Sequence, residues 1–200
     1  MEKSRKTKKI VLIVLLLIVV GLSIGFAAFT SQLTIRSSAT VTADSSTFRV
    51  VFSSSSSAVE SGTVVIGGKA EGGTISGTSL SGLTATFTQP GQTATWEVYA
   101  YNAGQFDAYL KKVTIGTITG TAKEGTTQSY VDEAIKGISI KVNVRGEEYP
   151  TTTSITNHNL TKGSGEKVIV TLTYAADSAT ADGDFTVNIG DILLDYNSVD

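Results

Sequence analysis

The sequence predicts an all-β fold, an antiparallel β-sandwich or jelly roll of about eight to ten strands with one short helix. Apolar and polar residues alternate with a period of two along most of the chain, as expected of strands that bury one face. Turn-forming Gly, Pro, Asn and Asp residues separate these runs. Helical periodicity is confined to one short segment, so nearly all of the core must come from strands.

The alternation also predicts individual elements. The clearest predicted strands are residues 33–42, 48–52, 138–144, 168–174 and 185–194. Residues 83–87 and 94–100 are predicted to form a hairpin across Gln89-Pro90-Gly91-Gln92, because Pro presets one turn dihedral and Gly permits a positive φ at the next position. Residues 67–82 contain six glycines and few large apolar side chains, which predicts a surface loop.

Local signals place the helix and one further turn. The helix is predicted at Tyr130 to Lys136, since Ser129 and Asp132 have the spacing of a capping box and Gly137 stands where helices commonly end. Asn102-Ala103-Gly104 is predicted to turn the chain into the next strand.

The first residues predict export. Residues 1–9 carry five basic residues and one acidic residue, and residues 10–29 carry no charge. Residues 1–28 therefore form a predicted signal peptide or an uncleaved membrane-anchor helix, and small residues after Val20 favour cleavage. In both cases the basic end stays in the cytoplasm, while residues 29–200, a predicted single β-sandwich domain, lie outside the cell or on its surface.

The composition of the chain limits which partners it is expected to bind and which disulfides, metals or cofactors it is expected to contain. Without residues 1–28 the chain keeps eleven basic and seventeen acidic residues, a net charge of about −6, which argues against nucleic acid as a partner. Membrane contact is predicted only through the N-terminal segment. There is no cysteine, so neither disulfides nor thiolate metal sites are expected, and no cofactor is predicted.

Two short segments resemble one known family. Gly25-Phe26-Ala27-Ala28-Phe29 resembles the leader junction of the TasA/camelysin family of secreted matrix proteins of Gram-positive bacteria. The strand and turn of residues 96–110, with Asn102, Gly104, Asp107 and Ala108, are similar to a turn that recurs in those domains. The resemblance implies cleavage between Ala28 and Phe29. It also implies a jelly-roll domain that builds extracellular fibres by lending its N-terminal strand to the next subunit.

The residues themselves make such a strand plausible. Residues 29–43 would form a long terminal strand, and an unpaired strand offers its N–H and C=O groups to a neighbouring sheet edge. The predicted assembly strand presents Phe29, Leu33, Ile35, Ala39 and Val41. The partners are then copies of the same chain or another cell-surface or matrix protein. The alternative is that this strand folds back into its own sandwich.

The sequence predicts no catalytic residues. Camelysin is described as a metalloprotease, but a zincin needs two histidines one helical turn apart with a glutamate between them. The chain has a single histidine, His158, in a polar stretch predicted to be a solvated turn. Serine hydrolase chemistry would depend on the same histidine and lacks its usual nucleophile motif. The protein is therefore predicted not to be an enzyme.

Two weaker sites complete the sequence-based expectations. Asp177, Asp182 and Asp184 form either a calcium site, because Ca²⁺ prefers oxygen ligands, or an ordinary Asp/Gly turn. Tyr99 and Tyr101 share one strand face and would form a small aromatic platform, whereas Trp96 faces the core. Two functions remain open: a structural subunit of an extracellular or biofilm-matrix fibre, and a membrane-anchored adhesion module that recognises glycan or protein.

Overall fold

The computed structural model describes residues 48–57, 61–156 and 158–198, which form an antiparallel all-β sandwich with one short helix, as predicted. The leader, the junction at Ala28 and Phe29, and the assembly strand with Leu33, Ile35, Ala39 and Val41 lie outside the described residues. Within the described ranges no helix has the length and apolar character needed to cross a bilayer.

The described residues contain fifteen strands, of which nine have at least five residues. In chain order they are β1 (Val50–Ser53), β2 (Ser61–Thr63), β3 (Val65–Gly68), β4 (Ala70–Ser76), β5 (Ser79–Phe87), β6 (Thr93–Asn102), β7 (Ala108–Ile115), β8 (Ile118–Ala122), β9 (Ile138–Val144), β10 (Glu147–Tyr149), β11 (Thr153–Ser154), β12 (Asn159–Leu160), β13 (Gly165–Tyr174), β14 (Phe185–Ile189) and β15 (Ile192–Ser198). Helix α1 (Gln128–Ala134) precedes β9 and continues into a short 3₁₀ turn, Ile135–Gly137.

These strands form three antiparallel sheets. Sheet A has the order β1-β6-β13-β9-β10, with β3 also paired to β6, and sheet B has the order β2-β4-β5-β14-β8. Sheet C is built around β7, which pairs with β11 and β12 on one side and with β15 on the other. The inward face of each long strand is apolar, so the core lies between the sheets.

The predicted hairpin at residues 83–100 is wrong, because its two strands belong to different sheets. Strand β5 pairs with β4 and β14 in sheet B, whereas β6 pairs with β13, β1 and β3 in sheet A. Gln89 to Gln92 forms a corner in which the Gln92 side chain accepts the Thr88 amide at 2.9 Å and the Gly91 amide bonds to the Tyr174 carbonyl at 2.8 Å. The turn residues correctly predicted that the chain reverses direction here. The two strands do not pair with each other, however, because they lie in opposite sheets and face each other across the core.

The predicted loop at residues 67–82 is also wrong, since most of it is strand. Strand β4 pairs with β5 from Ala70↔Ala85 to Ser76↔Ser79. The connecting turn has two residues and places Gly77 at φ 56°, which suits a tight hairpin. The many glycines hid this hairpin because they add no side chains to an alternating pattern, although Ile75 and Leu80 beside the turn are buried in the core.

The helix lies close to its predicted position but begins differently. It starts after Thr127, and no side chain caps its first turn, so the predicted Ser129–Asp132 capping box is absent. Asp132 instead accepts a hydrogen bond from Gln128 Nε2 at 2.8 Å. The Thr127 amide, one of the free donors at the helix start, bonds to Asp182 Oδ1 at 2.9 Å.

Candidate functional site: a buried histidine–glutamate–tyrosine cluster

A glutamate occupies an inward position of the central strand of sheet A. On β13 Glu166 is in phase with the fully buried Val170 and Leu172, and it is only 4% exposed. A buried carboxylate is costly unless hydrogen bonds compensate for the lost water. Its two oxygens have separate partners: Oε2 lies 2.7 Å from Nε2 of His158, which directly precedes β12 of sheet C, and Oε1 accepts the hydroxyl of Tyr196 on β15 at 2.5 Å.

Sheet C places these two partners in one cross-strand row. Tyr196 on β15 is paired with Leu110 on β7, and on the other side of β7 the Leu110 amide bonds to the His158 carbonyl at 2.8 Å. Opposite residues in neighbouring strands point to the same face, so His158 and Tyr196 flank Leu110 and both face sheet A. A register shift opposite Asp195–Tyr196 leaves Lys111 of β7 without a partner on β15, which allows Leu110 and Val113 both to be buried.

The expectation of a solvated His158 is therefore wrong. The side chain is 3% exposed and its ring is paired with a carboxylate. The surrounding sequence, Thr156 to Asn159, is polar and gives no sign of this burial. Burial arises from the neighbouring strands of sheet C and from Glu166, which are brought together only by the fold.

A hairpin of sheet A closes the outer side of the cluster. Strands β9 and β10 are joined by Arg145 and Gly146, both at positive φ, as a two-residue hairpin turn requires. Glu147 Oε2 accepts the Tyr149 hydroxyl at 2.7 Å and lies 3.9 Å from His158 Nδ1. Arg145 Nε lies 4.0 Å from Glu166 Oε2, and its Nη1 donates to the Asn159 carbonyl at 2.9 Å.

A second polar contact joins the same two sheets nearby. Asn102, at the end of β6, is fully buried and its amide donates to the carbonyls of Phe106 at 2.9 Å and Leu160 at 3.1 Å. Its Oδ1 accepts the Gly104 amide at 3.0 Å, which forms the predicted turn. The Asn-x-Gly motif thus fixes a crossing from sheet A to sheet C.

The environment of the cluster shifts its two phenols in the same direction. The pKa of Tyr149 is raised from the ordinary 10.0 to about 12. Burial is the largest cause, and the hydrogen bond to Glu147 and the negative charge of Glu147 add to it. Burial, followed by the charge of Glu166, raises the pKa of Tyr196 well above 10.0. Arg145 opposes both shifts. The cluster therefore holds its phenolic protons firmly, and its His158, Glu166 and Tyr196 side chains are buried between the two sheets.

Alkaline pH is expected to destabilise the protein through these phenols. The unfolded chain releases tyrosine protons near pH 10, while folded Tyr149 keeps its proton until about pH 12. Between these values the unfolded state binds fewer protons, so the free energy of unfolding falls as pH rises and is unaffected by this group below pH 10. Urea unfolding at pH 9 and pH 11 should show a smaller fall for Tyr149→Phe than for the parent. Tyr130→Phe, at an exposed helix position, is the control and should match the parent.

The aromatic residues of β6 lie as predicted. Trp96 is fully buried, whereas Tyr99 and Tyr101 are half-buried on the opposite, outer face of sheet A. Lys167 Nζ lies 6.0 Å from the Tyr99 ring centre and 2.7 Å from Glu97 Oε1. Ligand binding at this pair of tyrosines stays a prediction.

The three aspartates after β13 act within loops. Asp182 accepts the Thr127 amide, and contacts with Thr127 hold the pKa of that carboxyl below its usual value. The backbone carbonyl of Asp184 accepts hydrogen bonds from the Thr126 hydroxyl at 2.8 Å and the Lys123 amide at 3.1 Å. In the part of the chain that the structure describes, no three His, Asp or Glu side chains are arranged to hold a metal ion, and this holds for Asp177, Asp182 and Asp184.

One sequence signal pointed to the cluster. Glu166 is in phase with Val168, Val170 and Leu172, the residues that predicted the inward face of β13. A charged residue in an apolar row requires a buried partner. The sequence does not identify that partner, because His158 and Tyr196 come from other strands.

Comparison with known proteins adds no relative. A scan against protein-family models, a search of curated proteins and a search of solved structures each find no match. The likeness to the TasA/camelysin family therefore rests on the leader junction and on residues 96–110 alone.

Proposed function

We propose that the protein is an exported structural subunit of an extracellular fibre, which assembles when residues 29–43 of one copy pair with a sheet edge of the next. The leader supports export, and the alternating segment after it supplies a strand suited to pairing. The strand-rich fold supplies the edges.

One feature of sheet A carries this proposal. Ile66 on edge strand β3 is paired with Trp96, so its side chain is directed to the inward face of the sheet. Trp96 is fully buried, yet Ile66 is 52% exposed. The core is thus open beside β3, and a further apolar strand would cover it.

The backbone at this edge is suited to the same partner. Only two four-residue strands, β1 and β3, line this side of β6 among the described residues, and β3 pairs there with β6 alone. Val65, next to Ile66, is 61% exposed. Exposed apolar residues on an edge strand favour strand addition, which charged side chains normally prevent. The alternating apolar residues of 29–43 match this surface.

Filament formation is expected to depend on both surfaces. A chain that begins at Phe29 should form filaments in negative-stain microscopy, and Ile66→Lys should abolish them because a charge at the edge opposes strand addition. The control Tyr130→Lys changes a residue that is similarly exposed, at 54%, on α1 and should leave filaments intact. Circular dichroism establishes that each variant is folded.

Three outcomes would count against this proposal. Filaments of a chain that begins at Asp44 would exclude strand lending, and filaments of Ile66→Lys would exclude β3 as the receiving edge. A parent chain that stays a monodisperse monomer would favour the adhesion module instead. In that case Tyr99 and Tyr101, beside Lys167, are the surface to test for glycan or protein binding.

A further inference from the structure

Strand β8 forms an uncharged edge of sheet B, where it pairs with β14 alone among the described residues. Residues 113–122, which include β8, carry neither a charge nor a proline. Edges of this kind add strands from other chains unless something prevents it, and charged side chains are the usual protection. Strand β10, at an edge of sheet A, has that protection in the exposed Glu147 and Glu148. Strand β8 therefore needs protection of another kind.

The side chain of Gln128, the first residue of α1, occupies this edge. Its Oε1 accepts the Ala122 amide at 2.9 Å, and its Nε2 donates to the Gly120 carbonyl at 3.1 Å. Antiparallel strands bond to each other through every second residue. The Lys123 amide, just after β8, donates to the Asp184 carbonyl beside β14. The backbone groups of Gly120 and Ala122 therefore point to the free edge, and the carboxamide takes two groups that an added strand would use.

A third contact fixes the orientation of this carboxamide. Nε2 also donates to Asp132 Oδ1 at 2.8 Å, one helical turn further along α1. The Asp132 carboxylate and the Gly120 carbonyl both accept hydrogen bonds, so only the NH₂ end of the carboxamide can face them. Its oxygen then faces the Ala122 amide. Gln128 therefore presents a C=O and an N–H to β8, as a peptide group of a neighbouring strand would.

The packing of α1 against β8 holds Gln128 in place. A Cβ atom added to Gly120 would lie 2.8 Å from both Val131 Cγ1 and Ile135 Cδ1, which is too close for a side chain. The helix therefore packs directly on the strand backbone at Gly120. Val131 is fully buried in this contact with the core. The edge and the side chain that covers it thus belong to one packed unit.

We propose that Gln128 is an edge cap, whose carboxamide replaces a neighbouring strand and prevents β8 from pairing with β8 of a second copy. The sequence of β8 favours that partner. Two-fold antiparallel pairing about Gly120 would place Thr119 of one copy opposite Thr121 of the other, and opposed threonines form favourable cross-strand pairs. The cap acts whatever β3 binds, so this inference does not depend on the proposed fibre.

The first test measures hydrogen exchange of the Ala122 amide in the full chain, held in a mild non-ionic detergent. Gln128→Ala should speed this exchange about two- to tenfold, the effect of losing one hydrogen bond, and alanine favours the helix. Gln92→Ala is the matched control. It removes a glutamine that bonds to the Thr88 amide at the corner between β5 and β6, and it should leave Ala122 unchanged. Equal Ala122 exchange in the parent and in Gln128→Ala would overturn the proposal.

The second test asks whether the cap blocks pairing between copies. The chain has no cysteine, so a mixture of full chains with Thr119→Cys and with Thr121→Cys can form disulfides only at these positions. Opposite residues of a non-hydrogen-bonded pair have Cα atoms about 4.5 Å apart, which a disulfide can span. When both chains also carry Gln128→Ala, mild oxidation should give a linked dimer on a non-reducing gel. With Gln128 present, or with Gln92→Ala instead, the chains should stay monomeric.

The cross-linking results separate a cap from an incidental contact. Equal amounts of dimer with and without Gln128 would overturn the proposal, because the edge would then be open beside the cap. Faster exchange at Ala122 without any dimer in the Gln128→Ala mixture would also overturn it, since α1 itself would then block the edge. Gln128→Met keeps the length of the side chain and the preference for helix, and it takes the place of Gln128→Ala in both tests if circular dichroism shows that the alanine variant is unfolded.

Discussion

Replacing His158 with alanine is expected to lower the free energy of unfolding by about 3–5 kcal/mol, because it leaves a buried carboxylate without its closest partner. The Glu166 side chain is 2% exposed and would retain only the Tyr196 hydroxyl and the more distant Arg145. Urea unfolding followed by circular dichroism at pH 6 measures the loss. An effect of this size would make His158 one of the most sensitive positions in the fold.

Two comparisons test the reason for that loss. Replacing the whole cluster by apolar side chains, with His158→Leu, Glu166→Met and Tyr196→Phe together, leaves no unpaired polar group and should return the stability to within about 2 kcal/mol of the parent. Breaking the exposed Lys141–Glu148 pair, 3.1 Å apart, with Lys141→Ala should cost about 0–1 kcal/mol. If the triple variant is less stable than His158→Ala, the cluster contributes packing or net attraction and not only compensation for a buried charge.

The strands were predictable wherever large side chains alternate. In β6 and β13 every second residue is buried, and this pattern is present in the sequence because each strand must cover one face of the core. Trp96 was assigned to the core on that basis, correctly. The hairpin of β4 and β5 was missed, because glycines such as Gly72, which pairs with Leu83, contribute to the ladder without adding a side chain to an alternating pattern.

Pairing partners were less predictable than strands. The turn at Pro90-Gly91 predicted a change of direction, and the chain does turn there. Pro-Gly is typical of type I and II turns, whereas tight two-residue hairpins favour types I′ and II′, so these residues predict that the chain turns but not that its two strands pair. The choice depends on which strands cover Phe87, whose ring packs against Tyr174 and Phe185, with ring centres 5.8 Å and 6.2 Å away.

The cluster illustrates the same limit for a site. Glu166 was identifiable as an inward charge from its phase in β13, but its partners belong to the segment before β12 and to β15. No local pattern links these segments, because register within sheet C and the packing of sheet C against sheet A bring them together. A polar sequence around His158 predicted exposure, and tertiary contacts reversed it.

Trp96→Ala is expected to produce a comparably large loss of stability, about 3–5 kcal/mol, because Trp96 is fully buried and is the largest side chain in the core. Its removal leaves a cavity that the surrounding strands cannot fully close. Its indole Nε1 also donates to the Glu71 carbonyl of β4 at 3.1 Å, which connects sheet A to sheet B. Because Trp96 is the single tryptophan of the chain, its replacement removes the tryptophan fluorescence, and unfolding must be followed by circular dichroism instead.

Trp96→Phe separates packing from the hydrogen bond. Phenylalanine keeps most of the ring volume and loses the donor to Glu71, so the expected cost is about 1–2 kcal/mol, well below that of alanine. Thr95→Ala, at the half-buried outward position beside it, should change stability by about 0.5 kcal/mol or less. Equal losses of stability for the alanine and phenylalanine variants would show that Trp96 stabilises the fold mainly through its hydrogen bond to the Glu71 carbonyl, and not through packing. A small loss for both would mean that the space between sheets A and B is not closely packed around Trp96, beside the opening at Ile66 where we propose that the next subunit binds.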